Sequence, residues 1–140
     1  MHKEYFEYQT SIKPEAMDSL GHVNHAHYLV LFEQARWQIL ETKNLRVKLM
    51  EELQIGPVIL EANVKYKAEL KLNDSLVIKS RFEPLKRDLI FKAVQSMHRQ
   101  TEEGLELAAE GEYVFSFMDL RQRKMTRLQD DLREQLFIVE

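Results

Sequence analysis

Apolar residues at Val58, Leu60, Ala62, Val64, Tyr66, Ala68 and Leu70 alternate with Glu61, Asn63, Lys65, Lys67 and Glu69. A period of two over such a run predicts an antiparallel strand with one face on a core and the other in water. A shorter alternation, Phe6, Tyr8, Thr10, Ile12, predicts a first strand, which Pro14 ends because it cannot donate to a ladder. Three more strands are predicted at about Ser75 to Glu83, Asp88 to Arg99 and Leu105 to Met118. The last would carry Leu105, Leu107, Ala109, Tyr113, Phe115 and Phe117 on one face. Turn residues at Asn73-Asp74, Pro84 to Arg87 and Glu102 to Gly104 separate the strands.

Between the first strand and the second the period changes. Tyr28, Leu31, Phe32, Ala35 and Ile39 follow helical spacing, and Leu29, Val30, Trp37 and Leu40 add apolar surface on other sides. Only Glu33, Gln34, Gln38 and Glu41 form a polar stripe, so this helix is expected to be buried on most sides. Helical character is predicted to run on through Leu49 to Leu53, as one central helix ended by Gly56-Pro57. One strand, a long helix and four strands make an α+β chain whose sheet must be covered by that helix. The charged segment from Arg121 to Arg133 is expected to end in a short helix, Asp130 to Phe137.

At 140 residues the chain is expected to form one domain, residues 1–140, long enough for a core but too short for separate substrate and cofactor domains. A net charge of −3 gives no basic field to gather nucleic acid. The absence of cysteine removes disulfides, thiolate metal sites and cysteine nucleophiles. No signal-peptide core and no membrane-span-length apolar run is present, so a soluble, cytoplasmic protein is expected. The four glycines, Gly21, Gly56, Gly104 and Gly111, form no nucleophile elbow, phosphate loop or dinucleotide fingerprint.

The densest chemistry lies between Asp18 and Tyr28. Asn24 is a candidate N-cap, which starts the helix at about His25 and leaves its first N–H groups at the positive end of the helix dipole. Such groups can hold a developing oxyanion. Asp18 would stand across the loop as the acid, and Gly21 is where that loop can turn sharply or admit a ligand. His22 is expected to fix the loop by hydrogen bonds. His22, His25 and His27 do not predict a metal site: residues 25 and 27 project from opposite sides of a first helical turn, and His22 lies in the loop. No cofactor is expected. A thioester suits so sparse a site, because a thiolate whose conjugate acid has a pKa near about 8.5 leaves with little general-acid help.

Asp18, Gly21, His22-Val23-Asn24, Tyr28 and Glu33-Gln34-Ala35-Arg36 match the signature of the hotdog-fold acyl-CoA thioesterases of the 4-hydroxybenzoyl-CoA thioesterase type, and the chain resembles that family. The resemblance extends more weakly through Glu61 to Tyr66 and Leu70 to Asp74. It departs at Asn73, where Gly is usual, and at Glu69, where Pro is frequent. It implies a hotdog fold, an antiparallel five-stranded sheet wrapped around one long central helix. It also implies hydrolysis of an acyl-CoA by Asp18, acting on water or attacking to give an acyl anhydride, with the His25 backbone N–H as oxyanion donor. Gly21, His22, Asn24 and Tyr28 are then the candidate substrate-binding residues. Family members build each site at a subunit interface, and the Val58 to Leu70 strand offers an edge to be covered, so a homodimer or homotetramer is expected.

Other residues have simpler readings. Glu33 and Arg36 are expected to form a helical ion pair, with shaping of an acyl pocket as the alternative. Tyr28, Phe32 and Trp37 are expected in the core. Lys65, Lys67, Lys71, Lys86 and Arg87 are expected as solvated surface, with contact to CoA phosphates as the alternative. Two further functions stay open: hydrolysis of a carrier-protein thioester, and a non-catalytic domain that binds acyl thioesters. Hydration of acyl thioesters on the same fold would call for a Gly-Asp-x-Asn-Pro sequence, which is missing.

Overall fold

The computed structural model describes residues 5–43, 45–86 and 88–139. Strands β1 (Phe6–Ser11), β2 (Ile55–Tyr66), β3 (Ser75–Lys86), β4 (Ile90–Thr101) and β5 (Gly104–Asp119) form one antiparallel sheet in the order β1-β3-β4-β5-β2. Helix α1 (His25–Thr42) covers its inner face, and α2 (Val47–Leu53) and α3 (Asp130–Gln135) are short. This is the expected hotdog arrangement. Arg87, expected in a turn and among the candidate cations, lies outside the described residues.

The inner face follows the period-two logic: Phe91, Ala93, Gln95 and Met97 of β4 are buried, while the residues between them are only partly so. Phe32, Ala35 and Ile39 of α1 are buried in the same core as Ile78, Phe82, Phe115 and Phe117. Phe115 meets Phe82 at 5.4 Å and Phe91 at 5.6 Å between ring centroids. Leu132 of α3 and Leu136, just past its end, complete the core.

Four details correct the sequence reading. The single helix predicted through Leu53 is broken: Lys43 is extended (φ −102°, ψ 178°), Leu45 is fully buried, and the Glu41 carboxylate caps α2 through the Val47 N–H at 3.2 Å. Burying Leu45 and capping a second helix together outweigh helical continuity. The strand predicted to Leu70 ends at Tyr66, and a bulge at Leu60, between Ile59↔Phe115 and Glu61↔Val114, shifts the alternation. Pro57 and Ile59 therefore share the inner face with Phe117 and Phe115, rather than Val58 and Leu60. A second bulge at Ala108 pairs Leu107 with His98 and Leu105 with Gln100, which takes both leucines off the face of Ala109 and Tyr113. Finally, β6 (Lys124–Thr126), absent from the sequence reading, pairs with Phe117–Asp119 of β5 beyond the end of β4.

Strand β2 is one edge of the sheet, β1 the other, and among the described residues nothing pairs with the outer side of β2. Among the described residues no helix is long and apolar enough to cross a membrane.

Candidate active site at the N-terminus of the central helix

Residues 16–24 make a closed loop that delivers Asp18 and the start of α1 together. Met17 and Val23 form an isolated antiparallel bridge, the Asp18 N–H donates to the His22 carbonyl at 2.7 Å, and the Asn24 N–H donates to the carbonyl of buried Ala16 at 2.8 Å. Gly21 turns the loop at φ +80°, a conformation that costs a residue without Cβ little.

The carboxylate of Asp18 is asymmetrically bound. Its Oδ1 accepts the N–H groups of Leu20 and His22, each at 2.9 Å. Among the described residues no hydrogen bond reaches Oδ2. One oxygen thus caps the turn, as a plain loop carboxylate would, and the second is open. The His22 N–H holds this carboxyl below its ordinary 3.8; desolvation opposes it, and the Leu20 N–H adds to the lowering.

Asn24 is the helix cap: its Oδ1 accepts the Ala26 N–H at 2.9 Å, and its carbonyl accepts the His27 N–H at 2.9 Å. Among the described residues the His25 N–H has no hydrogen bond. The first turn therefore offers one unengaged donor at the positive end of an 18-residue helix dipole. His22 fixes the loop through its backbone, its N–H donating to Asp18 Oδ1 and its carbonyl accepting the Asp18 N–H, while its ring faces Glu69 at 3.6 Å with both side chains more than half exposed. Such a surface pair contributes little. Among the described residues no three His, Asp or Glu side chains are grouped to hold a metal.

The end of β2 reaches this turn, a contact that sequence reasoning missed. The Tyr66 hydroxyl donates to the His25 carbonyl at 3.0 Å, and the Tyr66 ring meets Tyr28 edge-on at 4.9 Å and 83°. Tyr28 is buried, and burial pushes its phenol up from 10.0. Alternation had placed Tyr66 on the core face of its strand; only knowledge that the strand stops there, beside the helix start, gives it this role.

Arg36 corrects the expected ion pair with Glu33. Among the described residues no ion pair within 4.0 Å joins them; the Arg36 Nη1 instead donates to Gln95 Oε1 at 2.9 Å, and its guanidinium lies 4.0 Å over the Tyr113 ring. Gln95, nearly fully buried, passes its own amide protons to the Phe32 carbonyl at 3.1 Å and Ser80 Oγ at 2.9 Å. Burial draws the guanidinium below its ordinary value, though it stays charged. A mainly apolar cavity of about 90 Å³, lined by both Glu33 and Arg36, opens between Trp37 and Leu40 of α1 and Pro57, Ile59, Phe82 and Phe115 of the sheet. Phe32 and Tyr28 are core as expected, while Trp37 is half-buried at this cavity.

Of the candidate phosphate-binding lysines, Lys86 stands apart from Tyr66, which Lys65 and Lys67 flank. Lys65, Lys67, Lys71 and Lys86 are all exposed. Lys65 stands opposite Glu110, and Lys86 ends β3 far from Ile78, whose row through Met97 and Ala109 leads to Tyr66. Eight residues of strand separate those rows, about 26 Å.

Residues 12–136 match the model of the thioesterase-like superfamily. The long-chain acyl-CoA thioesterase FadM of Escherichia coli (strain K12) is 31% identical over 131 residues, 91% of this chain and 96% of that protein. The crystal structure of YbaW, a probable thioesterase of Escherichia coli, superposes with a TM-score of 0.79 at 29% identity, covering 96% of this chain and 98% of that one. A 1,4-dihydroxy-2-naphthoyl-CoA thioesterase from Synechocystis shares the fold at a TM-score of 0.84 and 16% identity, with 94% and 95% covered.

Proposed function

We propose that this chain, which belongs to the thioesterase-like superfamily, hydrolyses an acyl-CoA thioester to a carboxylic acid and CoA. The observation that carries this reading is the pairing, in one loop, of a carboxylate with an open Oδ2 and a capped helix whose first N–H is unengaged. In it, the thioester carbonyl oxygen accepts the His25 N–H. Asp18 Oδ2 takes a proton from a water whose oxygen adds to the carbonyl carbon. The oxyanion gains a preorganised donor, a contribution worth roughly 3 kcal/mol. Collapse breaks the C–S bond, and the proton held by Asp18 passes to the departing thiolate, giving CoA and restoring the carboxylate. Gly21, His22, Asn24 and Tyr28 flank the reacting carbonyl. The family membership and the FadM likeness support the acyl-CoA class.

The mainly apolar cavity beside Trp37 and Phe115, about 18 Å along α1 from His25, offers a place for the far end of a long acyl chain only. A second copy of the chain completes the site. The unpaired edge of β2 exposes Ile59, Leu60 and Tyr66, and α1 exposes Leu29 and Val30 one turn past the candidate donor, a combination that favours strand-to-strand pairing about a twofold axis.

The test is thiol release from short, medium, long-chain and aromatic acyl-CoA esters by wild type and Asp18→Asn. The amide keeps an Oδ1 acceptor for Leu20 and His22 but is no base, so kcat should fall at least about a hundredfold with folding intact. Full activity in Asp18→Asn would reject the assignment, and binding without turnover by the wild type would make the protein an acyl-thioester-binding domain.

A further inference from the structure

We propose that Tyr66 is a positioning residue for the oxyanion donor, aiming the His25 N–H by holding the first turn of α1 from the end of β2. The proposal rests on the reading of that N–H as the site of the thioester carbonyl. Three observations carry it.

First, His25 is gripped from two sides by groups that leave its own N–H alone. On one side the preceding residue is tied to the loop by the Asn24 N–H bond to Ala16 O at 2.8 Å. On the other the Tyr66 hydroxyl donates to the His25 carbonyl at 3.0 Å. That carbonyl belongs to the helix interior pattern and needs no extra donor for its own satisfaction. A second donor therefore adds direction rather than rescue of a buried polar atom.

Second, the same side chain touches the turn twice. Its ring edge rests against Tyr28 at 4.9 Å and 83°, and Tyr28, three residues after His25, is only 5% exposed. Residues three apart lie on one face, so the two contacts fix the turn against tilt. Tyr66 itself is 48% exposed, so its removal opens no core cavity.

Third, the position of Tyr66 is built into the sheet. It is the last β2 residue paired with β5, opposite Ala109. The next two N–H groups, of Lys67 and Ala68, both donate to the carbonyl of the bulge residue Ala108, at 2.8 and 3.1 Å. The chain leaves the sheet immediately after Tyr66, which keeps that ring at the helix start. An oxyanion donor is effective to the degree that it is held before the charge develops, and a small misplacement of a positioned group can cost orders of magnitude.

The test compares Tyr66→Phe with wild type in steady-state thiol release. Expected are a loss of about tenfold in kcat with KM within about twofold, and unchanged melting temperature and oligomeric mass. In an Asp18→Asn background, the infrared stretch of an isotope-labelled acyl-CoA carbonyl should move back toward its free-solution frequency when Tyr66→Phe is added. Should Tyr66→Phe not fold, difluorotyrosine placed at position 66 keeps the ring and ionises at lower pH than tyrosine. Its kcat should then fall with rising pH where wild type does not. Wild-type kcat in Tyr66→Phe, or a flat profile for the fluorinated protein, overturns the proposal alone. No thiol release by wild type, or full activity in Asp18→Asn, overturns the functional reading and this proposal with it.

Discussion

The guanidinium of Arg36 lies over the ring of Tyr113, 4.0 Å from its centroid, and spends a hydrogen bond on Gln95 rather than on a carboxylate. A partly buried charge that makes no close ion pair leans on its dipolar partners staying in place. Arg36→Met keeps much of the volume but leaves Gln95 Oε1 unpaired in the core, which should cost about 1–3 kcal/mol. The urea midpoint should fall with the slope of unfolding unchanged. A midpoint equal to wild type would mean the guanidinium contributes nothing net.

Gly111 packs against the edge of that ring. A Cβ there would come within 2.9 Å of Tyr113 Cε2 and 3.3 Å of Phe32 Cε2, and both rings are buried. Neither can swing aside, so Gly111→Ala should destabilise by about 1–3 kcal/mol through overpacking. Because the added methyl displaces the ring that Arg36 covers, the two substitutions should be non-additive in a double-mutant cycle. Strict additivity would show that Tyr113 does not link them.

The helix cap should tie stability to catalysis. Asn24→Ala removes the acceptor for the Ala26 N–H and should cost about 1 kcal/mol. It also frees the turn that carries the His25 N–H, so kcat should drop more than the loss of folded protein explains. Asn24→Asp keeps an acceptor at the helix N-terminus and should restore both. Thermal melts beside kinetics of the three proteins decide this.

The pH dependence follows from Asp18. Backbone donors, the His22 N–H first, lower its folded value, so the fold favours the ionised carboxylate. That contribution to stability is present above the unfolded carboxylate's value of about 3.9 and is lost as pH falls through the lower folded value. A reaction that needs ionised Asp18 should accordingly keep kcat/KM flat from neutrality down to about pH 4–5. An acidic limb centred near pH 6 would point to a different group.

Much of this was legible in the sequence, because it is carried by short-range rules. Asn24 before an apolar helical run gives the cap; alternation gives β3, β4 and most of β5; Asp18 to Asn24 gives the loop. What was hidden depends on pairing across the sheet. The bulges at Leu60 and Ala108 each insert one residue opposite a partner strand and exchange the faces of Ile59, Leu60, Leu105 and Leu107, which no period within one strand reveals. The break at Lys43 depends on a core pocket for Leu45, and the turn of Arg36 toward Gln95 depends on a residue 59 positions away. Tyr66 belongs to the same class: its type was visible, but its partner, the His25 carbonyl, lies 41 positions off.

The bulge at Leu60 also makes the edge of β2 testable. Ile59 and Leu60, with exposures of 44% and 47%, lie where β2 has no outer neighbour, and a long hydrophobic edge in water invites pairing. If two copies join there, sedimentation should give a mass of at least two chains of 16.7 kDa, and Leu60→Lys should reduce it to one, because charge and lysine length oppose edge pairing. Leu60 touches none of the proposed machinery, so any activity it costs must come through assembly. The activity of wild type per chain should then fall on dilution through the same concentration range in which its mass falls. A single-chain mass for wild type at micromolar concentration, with full turnover, would mean that one chain builds the whole site and that the exposed β2 edge serves something else.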